Sequence, residues 1–200
     1  MTIRAVIFDV GGVLSHHHNL AALAPWLDRL NLPAEQILHT VFGNEVGGRA
    51  SRGEATVEEI WAFANQTFAL SEADLQALIA DIWATQTWDT DLLDYIRTLK
   101  ASYKTGVISD AWPNARITNV PITDDLFDVI VYSAEEKLLK PDPEIYRRAL
   151  ARLEVIPSEA IFVDDTQRKV DGAIQVGMHG LLFTDSQAIQ QQINRMLSEK

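Results

Sequence analysis

No cysteine occurs in the 200 residues, which excludes disulfide bonds, thiol nucleophiles and cysteine-ligated zinc and agrees with a reducing compartment. Positive charge is scarce: 17 lysines and arginines stand against 28 aspartates and glutamates, a formal net charge of −11. That balance repels nucleic-acid backbones and anionic membrane surfaces, so neither is expected as a partner, and any bound anion must be held by local groups. Long apolar runs are missing as well. The first is interrupted at Asp9 and lacks a small-residue cleavage site, and no stretch reaches the roughly 20 residues that span a bilayer. A soluble, cytoplasmic protein is expected.

What the chain does have is 47% hydrophobic residues, enough for the core of one domain or of one domain carrying an insertion. Five short β-branched or apolar runs read as buried strands: Ile3–Phe8, Thr105–Ile108, Val129–Tyr132, Ala160–Val163 and Gly180–Phe183. Their near-continuous apolar character predicts an open parallel α/β sheet of Rossmann-like type, covered by helices on both faces. Pro141 and Pro143 open one helical pattern, Val170, Ala173 and Ile174 mark another, and Ser186–Leu197 closes the chain. Between the first two strands lie roughly ninety residues, far more than one crossover helix needs. Helical periodicity recurs there over Leu20–Leu30, Ala34–Phe42, Val57–Leu70 and Ala73–Trp83, before Thr90–Leu99 returns to the sheet. The expected organisation is therefore a core of residues 1–14 and 88–200 and a small helical cap of residues 15–87, with the glycine-rich segment Gly43–Gly53 as its most flexible loop.

Polar residues fall where strands end. Asp9 follows the first strand and enters the turn Gly11-Gly12, Ser109 follows the second, and Asp164-Asp165 the fourth. In an open α/β sheet these positions share one edge, the edge where ligands bind. A carboxylate so placed serves as nucleophile or metal ligand. Several gathered carboxylates repel one another unless a cation shares them, and an all-oxygen set suits Mg2+. Lys140, in Lys140-Pro141-Asp142-Pro143, adds a fixed positive charge at a helix start.

Four ordered motifs, Phe8-Asp9-Val10-Gly11-Gly12-Val13-Leu14, Val107-Ile108-Ser109-Asp110, Lys140-Pro141-Asp142-Pro143-Glu144-Ile145-Tyr146 and Phe162-Val163-Asp164-Asp165-Thr166, resemble those of the haloacid dehalogenase superfamily of hydrolases with a helical cap of the C1 type. The resemblance implies Asp9 as the nucleophile that forms an aspartyl-phosphate. It implies Ser109 and Lys140 as catalytic groups holding the phosphoryl group, and Mg2+ bound by Asp9, the Gly11 carbonyl, Asp164 and Asp165, with Asp165 the direct ligand of the pair. Gly11, Gly12, Ser109, Asp110 and Arg49 are the expected substrate contacts, and the substrate a small phosphorylated metabolite. Three positions depart from the pattern. Gly11 stands where phosphatases of the family carry the aspartate that protonates the leaving group, a contribution of about 10²–10⁴-fold. Asp110 replaces a common asparagine, and Lys169 replaces an acid used by some relatives. Gly11 leaves open a second reading, a binding protein of the same fold without turnover. A third, a dehalogenase, fits less well because that branch works without magnesium.

Other residues have plainer readings. His16–His18 read as a solvated or partly packed run near the hinge, with a catalytic substitute for the missing acid as the sharper alternative. Trp26, Trp61 and Trp83 read as cap core, and Trp112 as either pocket wall or turn packing.

Overall fold

The computed structural model of the protein describes residues 2–198. Its strands are β1 (Ala5–Phe8), β2 (Ser15–His17), β3 (Gln86–Trp88), β4 (Lys104–Ser109), β5 (Val129–Tyr132), β6 (Ala160–Asp164) and β7 (His179–Leu182). Five of them form one parallel sheet in the order β5-β4-β1-β6-β7, and β2 pairs with β3 in a separate antiparallel ribbon. The five strands of the sheet lie where the apolar runs predict them, with ends shifted by one or two residues. Strand β1 is central because all four of its side chains are buried, and it pairs on both sides, Phe8 opposite Val107 and Val163.

The helices are α1 (Ala24–Leu30), α2 (Ala34–Phe42), α3 (Glu45–Ser51), α4 (Val57–Phe68), α5 (Glu72–Ala84), α6 (Thr90–Lys100), α7 (Ala115–Thr118), α8 (Ser133–Glu136), α9 (Pro143–Leu153), α10 (Gln167–Val176) and α11 (Ser186–Ser198). Alternation along β1 divides the sheet into two faces. Val6 and Phe8 pack with Leu92 and Ile96 of α6 and Ile189 and Ile193 of α11. Ala5 and Ile7 pack with Ile145 and Ala149 of α9 and Ala173 of α10. Among the described residues no helix is long and apolar enough to cross a membrane.

Helices α1–α5 surround an apolar cluster of their own that includes Trp26, Ile37, Val41, Ile60, Leu78 and Ile82. The predicted helix Leu20–Leu30 divides into a 3₁₀ turn, Leu20–Leu23, and α1, with Pro25 in the first turn of α1. A larger difference concerns Gly43–Gly53, which is not a flexible loop but contains α3. Asn44 caps that helix by accepting the Gly47 N–H at 2.8 Å. The glycines cost helix propensity, but the bare face of Gly47 gains a close approach: a Cβ there would come within 3.3 Å of the Phe42 carbonyl and 3.7 Å of Trp112. The Ser133 hydroxyl, donating to the Ser51 carbonyl at 2.7 Å, ties the end of α3 to the sheet side of the molecule.

Candidate active site

Asp9 leaves the carboxyl end of β1 between Ser109 on β4 and Asp164 on β6, and all three are buried. The Asp9 backbone continues the sheet by donating to the Val163 carbonyl at 2.8 Å. Its Oδ1 accepts the Val10 N–H at 2.7 Å and meets Lys140 Nζ at 2.8 Å. Lys140 comes from the segment before α9, and its ammonium also donates to Asp164 Oδ2 at 2.6 Å and to the Ile108 carbonyl at 3.0 Å. Three donors thus have three acceptors at a side chain with no solvent exposure. Asp110 accepts the Lys140 backbone N–H at 3.0 Å and so locks the lysine's approach.

Asp9 Oδ2 is held less tightly. Lys169 Nζ, from the first turns of α10, lies 3.7 Å from it and 3.1 Å from Asp110 Oδ2. Burial alone would raise the Asp9 pKa, but the charges of Lys140 and Lys169 and the Val10 hydrogen bond outweigh it and hold Asp9 below its ordinary value. Burial and the neighbouring Asp9 charge push Asp164 up to about 7, against the pull of Lys140. Lys169 is driven upward because Asp9, Asp110 and Asp164 overcome its own burial.

Carboxylate oxygens of Asp9, Asp164 and Asp165 lie within 4.8 Å of one another. Of the acidic pair, Asp164 is committed to Lys140 and to the Thr166 N–H at 2.9 Å, whereas Asp165 is exposed and accepts from the Thr166 hydroxyl at 3.1 Å. Gly12 makes this approach possible: its φ is +78°, and a Cβ would fall 2.2 Å from Asp165 Oδ2. Gly11 differs, since a Cβ there meets nothing within 4 Å and its φ lies outside the left-handed region. With all four ionised, the carboxylates of Asp9, Asp110, Asp164 and Asp165 face the ammoniums of Lys140 and Lys169, four against two, a deficit equal to one divalent cation. Hard oxygen donors with that deficit fit Mg2+.

Beside Asp9 opens a cleft of about 330 Å³ lined by Gly11, Gly12, His16–His18, Phe42, Trp83, Ser109, Asp110, Trp112 and Asn119, among others. The three histidines are therefore not simply solvated. His16 and His18 stack with ring centroids 4.7 Å apart, and His17 Nδ1 lies 2.6 Å from the Thr85 hydroxyl. Burial lowers the pKa values of His16 and His17. Trp26 and Trp61 pack with the helical cluster as their periodicity predicts, while Trp83 also faces the cleft and Trp112 joins it there.

Sequence reasoning places Arg49 at the substrate, but the structure does not bring it to the cleft. Because Gly43–Gly53 is helical, the Arg49 guanidinium is fixed against the Glu54 carbonyl at 3.0 Å and the Glu59 carboxylate at 4.0 Å. Missed from the sequence were Phe42 as a wall of the cleft and Lys169 as a second cation at Asp9. The spacing of Lys169, one helical turn after Asp165, was the available signal.

A sequence profile described as "haloacid dehalogenase-like hydrolase" matches residues 3–177. The sesquiterpene phosphatase astK of Aspergillus oryzae is 28% identical over 98% of this chain and 97% of its own length. (S)-2-haloacid dehalogenase 1 of a Pseudomonas species is 28% identical over 88% of this chain and 82% of its own. Other curated relatives are longer, the chain spanning 17%, 36% and 39% of three of them. Among solved structures, a Bacteroides thetaiotaomicron enzyme of the same family, in complex with magnesium and inorganic phosphate, superposes with a TM-score of 0.75 at 18% identity, over 91% of this chain and 94% of that one.

Proposed function

Because the chain belongs to the haloacid dehalogenase-like hydrolases, we propose that it is a magnesium-dependent phosphatase in which Asp9 forms an aspartyl-phosphate. The observation that carries this reading is the asymmetry of the Asp9 carboxylate: Oδ1 is held by Val10 and Lys140, while Oδ2 faces only Lys169 at 3.7 Å. A nucleophile needs one oriented lone pair and a field that keeps it ionised, and both lysines supply that field. Mg2+ held by Asp9, the Gly11 carbonyl and Asp165, with Asp164 behind, would neutralise phosphoryl oxygens. Ser109, beside Asp9 at the end of β4, orients the phosphoryl group, and Lys140 acts through Asp9, holding it ionised and aimed. Asp9 Oδ2 attacks phosphorus as the ester oxygen departs with the P–O electron pair, and water then cleaves the acyl-phosphate to inorganic phosphate. We further assign residues 15–87 as a cap over a core of 1–14 and 88–200, and a cytoplasmic setting in keeping with the lack of cysteine.

The relative that is a sesquiterpene phosphatase and the neighbour with bound magnesium and phosphate support phosphatase chemistry, and the acidic cluster argues against the dehalogenase alternative. Gly11 favours one rival, a phosphate- or metal-binding protein without turnover, because no side chain there carries a proton. Hydrolysis of 4-nitrophenyl phosphate by purified protein, with magnesium and with chelator, separates the two. The expected result is magnesium-dependent turnover abolished in Asp9→Asn with the thermal midpoint within a few degrees of wild type. Turnover retained in Asp9→Asn refutes the covalent mechanism, and magnesium binding without any cleavage establishes the rival.

A further inference from the structure

The chemistry of the cleft is split sharply between its two ends. Its cations stand behind the lining at one end: Lys140 and Lys169 both reach Asp9, and Lys169 lies 3.1 Å from the lining residue Asp110. Farther out no lysine or arginine lines it; Asp110 is the one charged side chain of the lining, and it is already paired with Lys169. Gln86 donates to the Ser15 hydroxyl at 2.6 Å, and the nearby arginines Arg49 and Arg52 turn to Glu54.

The outer wall is aromatic. Phe42 stacks on Trp112 with centroids 5.1 Å apart at 23°, and Trp83 meets both edge-on, at 6.1 Å from Phe42 and 6.3 Å from Trp112. Trp61 braces the group from behind, 6.0 Å from Trp112 and 6.5 Å from Trp83. Trp112 belongs to the loop after β4, three residues beyond Ser109, whereas Phe42 and Trp83 come from α2 and α5. The two sides of the cleft therefore meet through rings, and the apolar surface is formed before any ligand arrives. A pocket with one charged end and rigid aromatic walls binds a ligand of the same polarity. Sugar bisphosphates, nucleotides and phosphorylated amino acids would each bring a further charge that no lysine or arginine of the lining meets, and would set it against these rings rather than against the neutral polar groups of Asn114, Thr118 and Asn119.

We propose, building on the phosphatase reading, that the substrate is a monophosphate ester of an uncharged, largely apolar alcohol or phenol whose hydrocarbon part rests against Phe42, Trp83 and Trp112. The phosphoryl group is the only anionic part of such a substrate, which matches the placement of Lys140 and Lys169 together at Asp9.

The test uses alkyl esters only, and because its neighbouring hydroxyls make glycerol the better leaving alcohol, leaving-group acidity works against the expected preference and cannot produce it. Each methylene moved from water into the pocket is worth about fourfold in affinity. Hexyl phosphate should therefore exceed glycerol phosphate at least tenfold in kcat/KM, and Trp112→Ala should remove most of that preference through KM. Equal rates, or a preference for glycerol phosphate, overturn the inference and leave the phosphatase standing. To keep the test independent of the folding of Trp112→Ala, and to obtain a readout without catalysis, indole fluorescence of the native protein is titrated with benzylphosphonate and methylphosphonate, neither of which is hydrolysed. Benzylphosphonate should bind at least tenfold more tightly; equal affinities overturn the proposal. If neither alkyl ester is cleaved, nor 4-nitrophenyl phosphate, the phosphatase reading fails, and the phosphonate comparison still decides the chemistry of the pocket.

Discussion

Replacing Lys140 by methionine, an unbranched side chain one atom shorter, keeps most of the bulk of a side chain with no solvent exposure and removes the charge that joins Asp9 and Asp164. Two buried carboxylates then face each other, and the Ile108 carbonyl loses the ammonium it accepts at 3.0 Å. Breaking a buried ion pair from one side costs about 3–5 kcal/mol. For a chain of this length 1 kcal/mol moves the midpoint by about 2–4 °C, so a fall of about 6–20 °C is expected at pH 8 in the presence of chelator. The loss should shrink in acid. Asp164 is already pushed up to about 7, compared with 3.8 for the free carboxyl, chiefly by burial and by Asp9. The folded state therefore binds more protons than the unfolded between those values, and this group makes stability decline as pH rises from about 4 to about 7. With Lys140 gone, Asp164 takes up a proton more readily still, and at pH 5.5 one neutral carboxyl relieves the repulsion. Thermal unfolding followed by circular dichroism at both pH values measures the effect. A fall below about 2 °C at pH 8, or the same fall at both, refutes the assignment of Lys140 as the bridge between these two acids.

Gly11→Asp should fold normally, because its Cβ enters open space, and should raise single-turnover rates on alkyl phosphates about tenfold more than on aryl phosphates, which need little protonation to depart; equal gains would place the missing proton elsewhere. Lys169→Asn removes an ammonium 3.7 Å from Asp9 Oδ2 and should tighten Mg2+ binding about tenfold by calorimetry, because a divalent ion held by Asp9 would be repelled by that ammonium even under water-like screening; unchanged or weaker affinity contradicts the charge count of the site. His17 is held below its ordinary pKa of 6.5, first by burial and then by the charges of His16 and His18. The unfolded chain therefore takes up this proton first, and stability is lost as pH falls below about 6.5. Chemical denaturation of the native protein and of His17→Gln between pH 5 and 8 should show the variant losing less in acid, and parallel curves would rule the histidine out as the cause.

The sheet and the gathering of Asp9, Ser109, Lys140 and Asp164 were legible in the sequence because strand ends are marked locally: an apolar run stops at a polar residue, and parallel strands bring such stops to one edge. Arg49 was misplaced for an equally local reason. A cluster of glycines ordinarily signals a loop, but the Asn44 cap and the packing of Gly47 against Phe42 outweigh that propensity, and both depend on neighbours in space. Phe42 and Trp83 satisfy helical periodicity like any core residue, and only the docking of α2 and α5 beside Trp112 turns them toward the cleft. The partner of His17 was illegible too, since Thr85 lies 68 residues away.

The ribbon of β2 and β3 also shortens the path by which the sheet assembles. Strands β1 and β4 must pair across a separation of about a hundred residues, Ala5 opposite Lys104, the kind of contact that slows folding. Ser15 lies opposite Trp88, and Asp89 donates its N–H to the Leu14 carbonyl at 2.9 Å, so the chain leaves and re-enters the sheet at a single doorway. Once α1–α5 have formed around their own apolar cluster and the ribbon has closed, the segment left to be ordered between β1 and β4 is short. By loop-closure entropy that difference is worth roughly 1–1.5 kcal/mol. The long insertion thereby becomes a clasp that delivers β4 to β1 already aligned, and with it the serine that must stand beside Asp9.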